Sequence, residues 1–197
     1  MATKPRGRPR SFDRDAALAK ATTAFWERGY EATSIADLTK AMGIGPPSLY
    51  AAFGDKRALF AEVVEVYAAG RSTRLDDAPT AREALARLLR ELAADYTDPG
   101  HPPGCLVISA ALNCADPAVE AALRDRRNAN IAAFESRVRA DIAAGLLPPD
   151  TDAGALARFV GAVVQGMSLQ ARDGATREEL EAVAQTAMTA WPTPKSG

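Results

Sequence analysis

Few residues in this chain could carry covalent or acid–base chemistry. The candidates are two cysteines and a single histidine, namely Cys105, Cys114 and His101. No nucleophile, base and orienting acid stand at the spacing of a catalytic motif, and no glycine-rich loop is suited to cradle a phosphate. Two cysteines and one histidine are also too few for a four-ligand zinc site. We therefore expect no enzyme, no metal and no cofactor.

Cys105 is the candidate with the most favourable position. It follows a Pro-Pro-Gly step at the predicted start of a helix, where the helix dipole makes a thiol more reactive. Cys114 lies nine residues further on and would point to the opposite side of that helix, so we expect no disulfide between them. Two roles remain open for Cys105: a small buried residue at a helix start, or a sensor of oxidants and electrophiles.

The basic residues are unevenly distributed along the chain. The whole sequence of 197 residues has 24 Lys and Arg against 25 Asp and Glu. Residues 1–60 hold ten basic and six acidic groups, which leaves 14 basic and 19 acidic groups for the rest. A basic end on an otherwise acidic chain indicates either a solvated tail or an end that contacts a polyanion.

The elements that must position these residues are helices. The chain has 43 alanines and few aromatic residues, and its apolar residues recur at helical spacing between Gly and Pro breaks. The sequence predicts an all-α fold with nine helices. Their expected ranges are 13–28, 34–42, 46–53, 55–70, a fifth with apolar positions 85–96, 106–113, a seventh with apolar positions 119–142, 152–172 and 177–190. The uncharged run of residues 159–171 in the predicted eighth helix is shorter than the roughly 20 residues of a membrane helix.

Helices two and three form the most informative pattern. Ser34 and Asp37 make a Ser-x-x-Asp helix start, and a glycine-containing turn follows before Pro46 and Pro47 open the next helix. Two short helices joined in this way, braced by a first helix and preceded by a basic arm, have the outline of a helix-turn-helix DNA-binding unit. The second short helix is then expected in the major groove.

The same stretch resembles the N-terminal domain of the TetR family of one-component transcriptional regulators. The resemblance spans about 50 residues and is carried by Phe25, Gly29, Tyr30, Thr33, Ser34, Leu38, Gly43, Ile44, Leu49, Tyr50, Phe53, Lys56, Leu59 and Phe60. It implies a cytoplasmic homodimeric repressor that binds palindromic double-stranded operator DNA. It also implies a C-terminal domain that binds a small-molecule effector, which releases the DNA.

The resemblance assigns roles in DNA binding to individual residues. It implies phosphate contacts for Thr33, Ser34 and Lys56 and a backbone contact for Tyr50, and it puts Gly45, Pro46, Pro47 and Ser48 at the base-reading position. Only Ser48 among those last four has a polar side chain, so we expect sparse hydrogen-bonded readout. The preference for particular DNA sequences should then depend on Ser48, on Lys40 and on a proline ring that contacts a thymine methyl. It should also depend on Arg6, Arg8 and Arg10, which would enter a narrow minor groove.

The remaining helices are expected to bind the effector and the second copy of the chain. The expected dimer face lies on the last two helices, at Leu156, Phe159, Val160, Val163, Leu180, Val183, Ala184, Ala187 and Trp191. The expected effector pocket is mostly apolar and suits an apolar or aromatic molecule; its candidates are Val64, Tyr67, Tyr96, Cys105, Leu106, Leu112, Asn113, Phe134, Val138, Val163 and Met167.

These expectations divide the chain into a flexible basic arm (1–12), a helix-turn-helix domain (13–54), an effector-binding and dimerisation domain (55–191) and a tail (192–197). Two alternatives compete with an effector-released repressor. One is a repressor switched by redox or electrophile chemistry at Cys105. The other is a helical ligand-binding or scaffold protein that does not bind DNA, which the proline-rich turn makes conceivable.

Overall fold

The computed structural model describes residues 12–69, 75–110 and 114–192. In these residues it contains nine α-helices, one short 3-10 turn and no strand, which confirms the all-α prediction. The helices are α1 (Arg14–Arg28), α2 (Ile35–Met42), α3 (Pro46–Phe53), α4 (Lys56–Ala69), α5 (Ala81–Tyr96), α6 (Leu106–Ser109), α7 (Pro117–Ala143), α8 (Ala153–Arg172) and α9 (Arg177–Thr189).

Local signals explain where the first three helices begin. The Asp13 carboxylate accepts a hydrogen bond from the Ala16 amide at 3.0 Å and so caps α1. At α2 the predicted start is a full capping box: the Ser34 hydroxyl accepts from the Asp37 amide, and the Asp37 carboxylate accepts from the Ser34 amide. Helix α3 begins at two prolines. Proline has no amide hydrogen, which costs nothing here because the amides of a helix's first turn have no hydrogen-bond partner within the helix.

Two apolar cores hold the helices together. The first, the head core, joins α1 to α4 and continues into α6 and the start of α7, through Leu106 and Leu123. The second, the body core, joins α5, α8, α9 and the rest of α7. Cys105 packs against both cores. A change at Cys105 therefore touches the packing of both halves of the chain.

Polar bridges also connect the head to the body. The Arg172 guanidinium at the end of α8 donates to the carbonyls of Trp26 and Glu27 at 3.3 and 3.2 Å, which are in the last turn of α1. The His101 ring stacks on the Trp26 ring with centroids 4.4 Å apart. Helix α8 and the loop between α5 and α6 thus both contact the end of α1.

A buried ion pair ties α7 to the start of α5. Arg137 and Asp141 are paired, with only 11% and 4% of their side chains exposed. The second Asp141 oxygen accepts from the Ala81 amide at 2.7 Å. The second Arg137 nitrogen donates to the carbonyls of Ala78 and Pro79 at 3.1 and 3.0 Å. This arrangement caps α5 and fixes the segment that leads into it.

Candidate nucleic-acid interface and cavity

Helices α2 and α3 are joined by a tight turn with a left-handed glycine. Gly43 has φ of 71°, a conformation that residues with a side chain rarely adopt, and its amide donates to the Thr39 carbonyl at 3.0 Å. The Ile44 amide donates to the same carbonyl at 3.2 Å. The turn therefore closes α2 and redirects the chain into α3, as a helix-turn-helix requires.

The outer face of α3 brings together the predicted base-reading residues. Leu49 and Phe53 point into the head core, while Gly45, Pro46, Pro47, Ser48 and Tyr50 are exposed. Lys40 is exposed at the end of α2. Because proline has no amide hydrogen, the first turn of α3 lacks donors with which a helix N-terminus commonly binds phosphate.

Thr33 lies inside the head rather than on the surface expected to face DNA. It is fully buried, and its hydroxyl donates to the Gly29 carbonyl at 2.7 Å. This is a correction to the predicted phosphate contact, since the hydroxyl is occupied by the end of α1 and has no path to solvent. The sequence pattern could not separate the two roles, because Thr33 directly precedes the exposed cap Ser34.

Ser34 and Lys56 remain at the surface, each with a partner inside the chain. Hydrogen bonds from the Ser34 hydroxyl and amide hold the pKa of Asp37 below its ordinary value, and Arg28 at 3.2 Å adds to this effect. The Lys56 ammonium lies 4.2 Å from the centroid of the Tyr30 ring, a cation–π contact that leaves its hydrogen-bond donors available.

The basic excess of the first 60 residues resides in the arm. Residues 1–11 contain four basic groups and no acidic one, whereas residues 12–60 contain six of each. Arg6, Arg8 and Arg10 lie outside the described residues. The described part of the head therefore carries no net charge, and the arm carries the whole basic excess of this end of the chain.

A cavity of about 490 Å³ lies between the head and body cores. Four of the predicted pocket residues line it: Tyr67, Tyr96, Cys105 and Phe134. The lining residues that sequence reasoning missed include Leu88, Leu92, Arg126, Arg127, Asn130, Ile131, Gly161, Val164 and Gln165. A signal for some of them was available, because residues 127, 131 and 134 share one face of α7.

The other predicted pocket residues lie elsewhere. Leu106, Val138 and Met167 are fully buried in the two cores and have no surface on the cavity. Val64 is buried beside a second groove between α4 and α7, and Val163 is half-buried on α8. Leu112 and Asn113 lie outside the described residues.

Polar groups at the inner end of the cavity have neighbours within the chain. Burial, together with the neighbouring Cys105 and Tyr67, raises the pKa of Tyr96 well above its ordinary value. The Tyr67 hydroxyl accepts from the Leu106 amide at 3.3 Å. The Cys105 amide donates to the Ser168 hydroxyl at 2.8 Å, which joins the cavity wall to α8.

The two cysteines are free thiols in different surroundings. Cys105 faces the cavity, whereas the Cys114 sulfur contacts Glu31 and the Asp116 carbonyl at 3.8 and 3.6 Å near the head. Burial raises the pKa of Cys114, and the adjacent carboxylates add to that shift. Cys114 is therefore held in its protonated, less nucleophilic form.

The predicted dimer residues divide between the body core and the surface. Val160, Leu180, Ala184, Ala187 and Trp191 are buried within this chain, and Leu156, Val163 and Val183 are half-buried. Only Phe159 of that set is exposed, at 39%. It begins an outward stripe on α8 that continues through Ala162, Gly166 and Leu169, at helical spacing.

Comparison with known proteins identifies the class to which this fold belongs. The chain matches the model for "Bacterial regulatory proteins, tetR family" over residues 17–63 and that for "Tetracyclin repressor-like, C-terminal domain" over residues 79–188. The chain therefore belongs to the TetR family and is a DNA-binding transcriptional regulator with a helix-turn-helix head.

Individual relatives agree with this assignment. The chain is 38% identical over 196 residues to the HTH-type transcriptional repressor ComR of Escherichia coli, with 96% of this chain and 93% of ComR covered. It is 33% identical to the repressor BdcR of the same bacterium, over 90% and 88% of the two chains. A structure of a cysteine mutant of the TetR family regulator CifR with 26-base-pair operator DNA is 50% identical, with a TM-score of 0.89 over 94% of this chain and all of that chain.

These relatives are transcriptional regulators rather than enzymes. Among the described helices, none combines the length and the apolar character that crossing a membrane requires. The described residues also include no group of three or more His, Cys, Asp or Glu side chains placed to hold a metal ion.

Proposed function

We propose that the protein is a homodimeric repressor that binds palindromic operator DNA and leaves it when a small molecule fills the cavity. The observation that carries this proposal is the exposed face of α3, where Pro46, Pro47 and Ser48 stand clear of the head core. Residues 13–54 would read the DNA, and residues 55–191 would bind the effector and the partner. We assign it no catalytic reaction, and a regulator of bacterial DNA would act in the cytoplasm.

Coupling between the cavity and the DNA-reading helices has a physical route in the chain. Cys105 lines the cavity and packs against both cores. The loop before it carries His101, which stacks on Trp26 at the end of α1. An effector that displaces this loop would shift α1 and, through the head core, α2 and α3. In a dimer, such a shift changes the spacing of the two reading helices, on which half-site recognition depends.

The exposed stripe of α8 suits the proposed dimer. Phe159 and Leu169 are 39% and 51% exposed. Between them lies Gly166, where an added Cβ would meet no atom of another part of the chain within 4 Å. Large apolar side chains next to small ones let a second helix approach closely. A two-fold dimer about this stripe would also match the symmetry of a palindromic operator.

Selection of operators from a random DNA pool tests the proposed reading mode. We expect an enriched palindrome with thymines where the proline rings of α3 contact the major groove, and few positions read by hydrogen bonds. A half-site centre dominated by guanines, the signature of arginine readout, would contradict the assignment of Pro46, Pro47 and Ser48. Failure to enrich any palindrome would contradict the repressor itself.

Cys105 supports a second candidate for the releasing signal. Cys105 neighbours Tyr96, and it faces a cavity large enough for a quinone. Addition would form a carbon–sulfur bond, and the hydrogens of the thiol and of the attacked ring carbon would end on the two quinone oxygens, giving a hydroquinone thioether.

The Cys105→Ser variant separates this switch from reversible binding, with Cys114→Ser as the matched control. If Cys105 is the switch, quinone treatment gives a mass adduct at Cys105. The treatment then releases operator from the wild-type protein and from Cys114→Ser, but not from Cys105→Ser. An unmodified Cys105, or release that persists in the Cys105 variant, excludes the covalent switch.

A further inference from the structure

The polar side chains of the cavity differ in how fully they are used within the chain. At the inner end, the Tyr67 hydroxyl accepts from the Leu106 amide, and Tyr96 is buried beside Cys105. On the α7 side, Arg126 contacts the Glu65 carboxylate at 3.5 Å. The next residue, Arg127, is half-buried, and its contact within the chain is the Val107 carbonyl at 3.5 Å.

Arg127 is therefore a cation without a carboxylate partner among the described residues. A guanidinium has five N–H donors in a planar fork, and one long bond to a carbonyl leaves most of them unused. Burial, together with the nearby charge of Arg124, lowers the pKa of Arg127. Both effects disfavour the charged form, and a bound anion would relieve both.

Apart from these groups and the side chains of Asn130 and Gln165, the cavity is apolar. Its walls include Leu88 and Leu92 of α5, Ile131 and Phe134 of α7, and Val164 of α8. The charged groups that line it are Arg126, Arg127 and Glu65, so its net charge is positive. A volume of about 490 Å³ is within the range of sites for small organic ligands.

We propose that the effector is an organic acid with an apolar body, whose carboxylate is bound by the Arg127 fork while the body fills the space between α5 and α7. The guanidinium and carboxylate planes match in a two-bond contact that a neutral ligand cannot reproduce. This proposal rests on the proposed function, because it names the ligand class of the same effector cavity.

Calorimetric titration of the full-length protein tests the ligand class. The probes are sodium cinnamate, with an aromatic body, and sodium octanoate, with an alkyl body. Each acid is compared with its own uncharged amide, which has nearly the same shape. We expect at least one acid to bind about tenfold to a hundredfold more tightly than its amide. Arg127→Gln should remove most of that difference without weakening the amide, whereas Arg139→Gln, an exposed position on the same helix outside the cavity, should preserve it.

The outcomes separate the ligand class from the repressor assignment. Equal binding of acid and amide to wild type, an unchanged preference in Arg127→Gln, or no binding of either acid overturns the organic-acid proposal. Operator binding by the untreated wild-type protein is measured on the same preparation. If the protein binds operator but lacks the acid preference, only the ligand class fails; if it does not bind operator, the proposed function fails whatever the calorimetry gives.

Discussion

Replacing Asp141 with alanine should destabilise the protein more than any exposed ion pair could. The substitution leaves the Arg137 guanidinium buried, with only the carbonyls of Ala78 and Pro79 as partners. It also leaves the Ala81 amide at the start of α5 without its acceptor. Breaking a buried pair by removing one partner typically costs about 3–5 kcal/mol, because the remaining charge is uncompensated. We expect a loss of that size in the free energy of unfolding.

The chain contains a matched control on the same helix. Glu135 and Arg139 form a pair with the same four-residue spacing, but their side chains are 32% and 66% exposed. Exposed pairs contribute about 0–1 kcal/mol, so Glu135→Ala should cost little. The double variant Arg137→Met, Asp141→Leu removes both charges and should recover most of the loss, because no buried charge is then left without a partner.

Urea unfolding followed by circular dichroism gives the comparison, with all variants at one protein concentration because a dimer's stability depends on it. For a chain of this length the expected loss corresponds to a fall in Tm of about 6–20 °C. A cost below 1 kcal/mol for Asp141→Ala, or an equal cost for Glu135→Ala, would show that burial does not make this ion pair important for stability.

Two further substitutions probe the head. Thr33→Val should cost about 1–3 kcal/mol in unfolding free energy, because the Gly29 carbonyl loses its 2.7 Å partner. Thr33→Ser keeps the hydroxyl and should cost less. Equal costs of the two substitutions in urea unfolding would argue against the hydrogen bond. Burial and Asp116 raise the pKa of Tyr30 to about 12, so its phenol stabilises the fold fully below pH 10 and this contribution is lost as the pH rises towards 12. Tyr30→Phe should make unfolding free energy fall less between pH 9 and 12, and an unchanged profile would exclude Tyr30 as a cause.

The head could be predicted closely from sequence because its signals are local. The Ser34–Asp37 capping box, Gly43 and the Pro46–Pro47 pair act within a few residues of their own positions. Thr33 shows the limit of such signals, because its hydroxyl turns back to the Gly29 carbonyl four residues earlier, whereas the adjacent Ser34 hydroxyl stays exposed. The pattern of residue types does not distinguish these two neighbouring hydroxyls.

The cavity was less predictable because five helices contribute to it. Tyr67, Tyr96 and Phe134 could be found as apolar candidates, but their common cavity depends on how α4, α5 and α7 pack. Nothing in the sequence marked Arg127 as a residue of the cavity except its place on the face of α7 that carries Phe134. Likewise, helical period predicted an apolar stripe on α8 but not which part the body core would cover; Val160 is buried, and Phe159 beside it is exposed.

The proposed repressor is expected to bind operator DNA with an attraction to phosphate that the arm supplies. Fluorescence anisotropy with DNA from upstream of the protein's own gene, repeated at several salt concentrations, measures both properties. The triple variant Arg6→Ala, Arg8→Ala, Arg10→Ala removes six positive charges per dimer and should reduce the salt slope by up to about 5.

A second triple variant on the body, Arg124→Ala, Arg139→Ala, Arg177→Ala, makes the same change of charge at exposed positions and should leave the slope as in wild type. We expect specific, salt-sensitive binding that weakens in the arm variant alone. Absence of specific binding by the wild-type protein would contradict the proposed repressor.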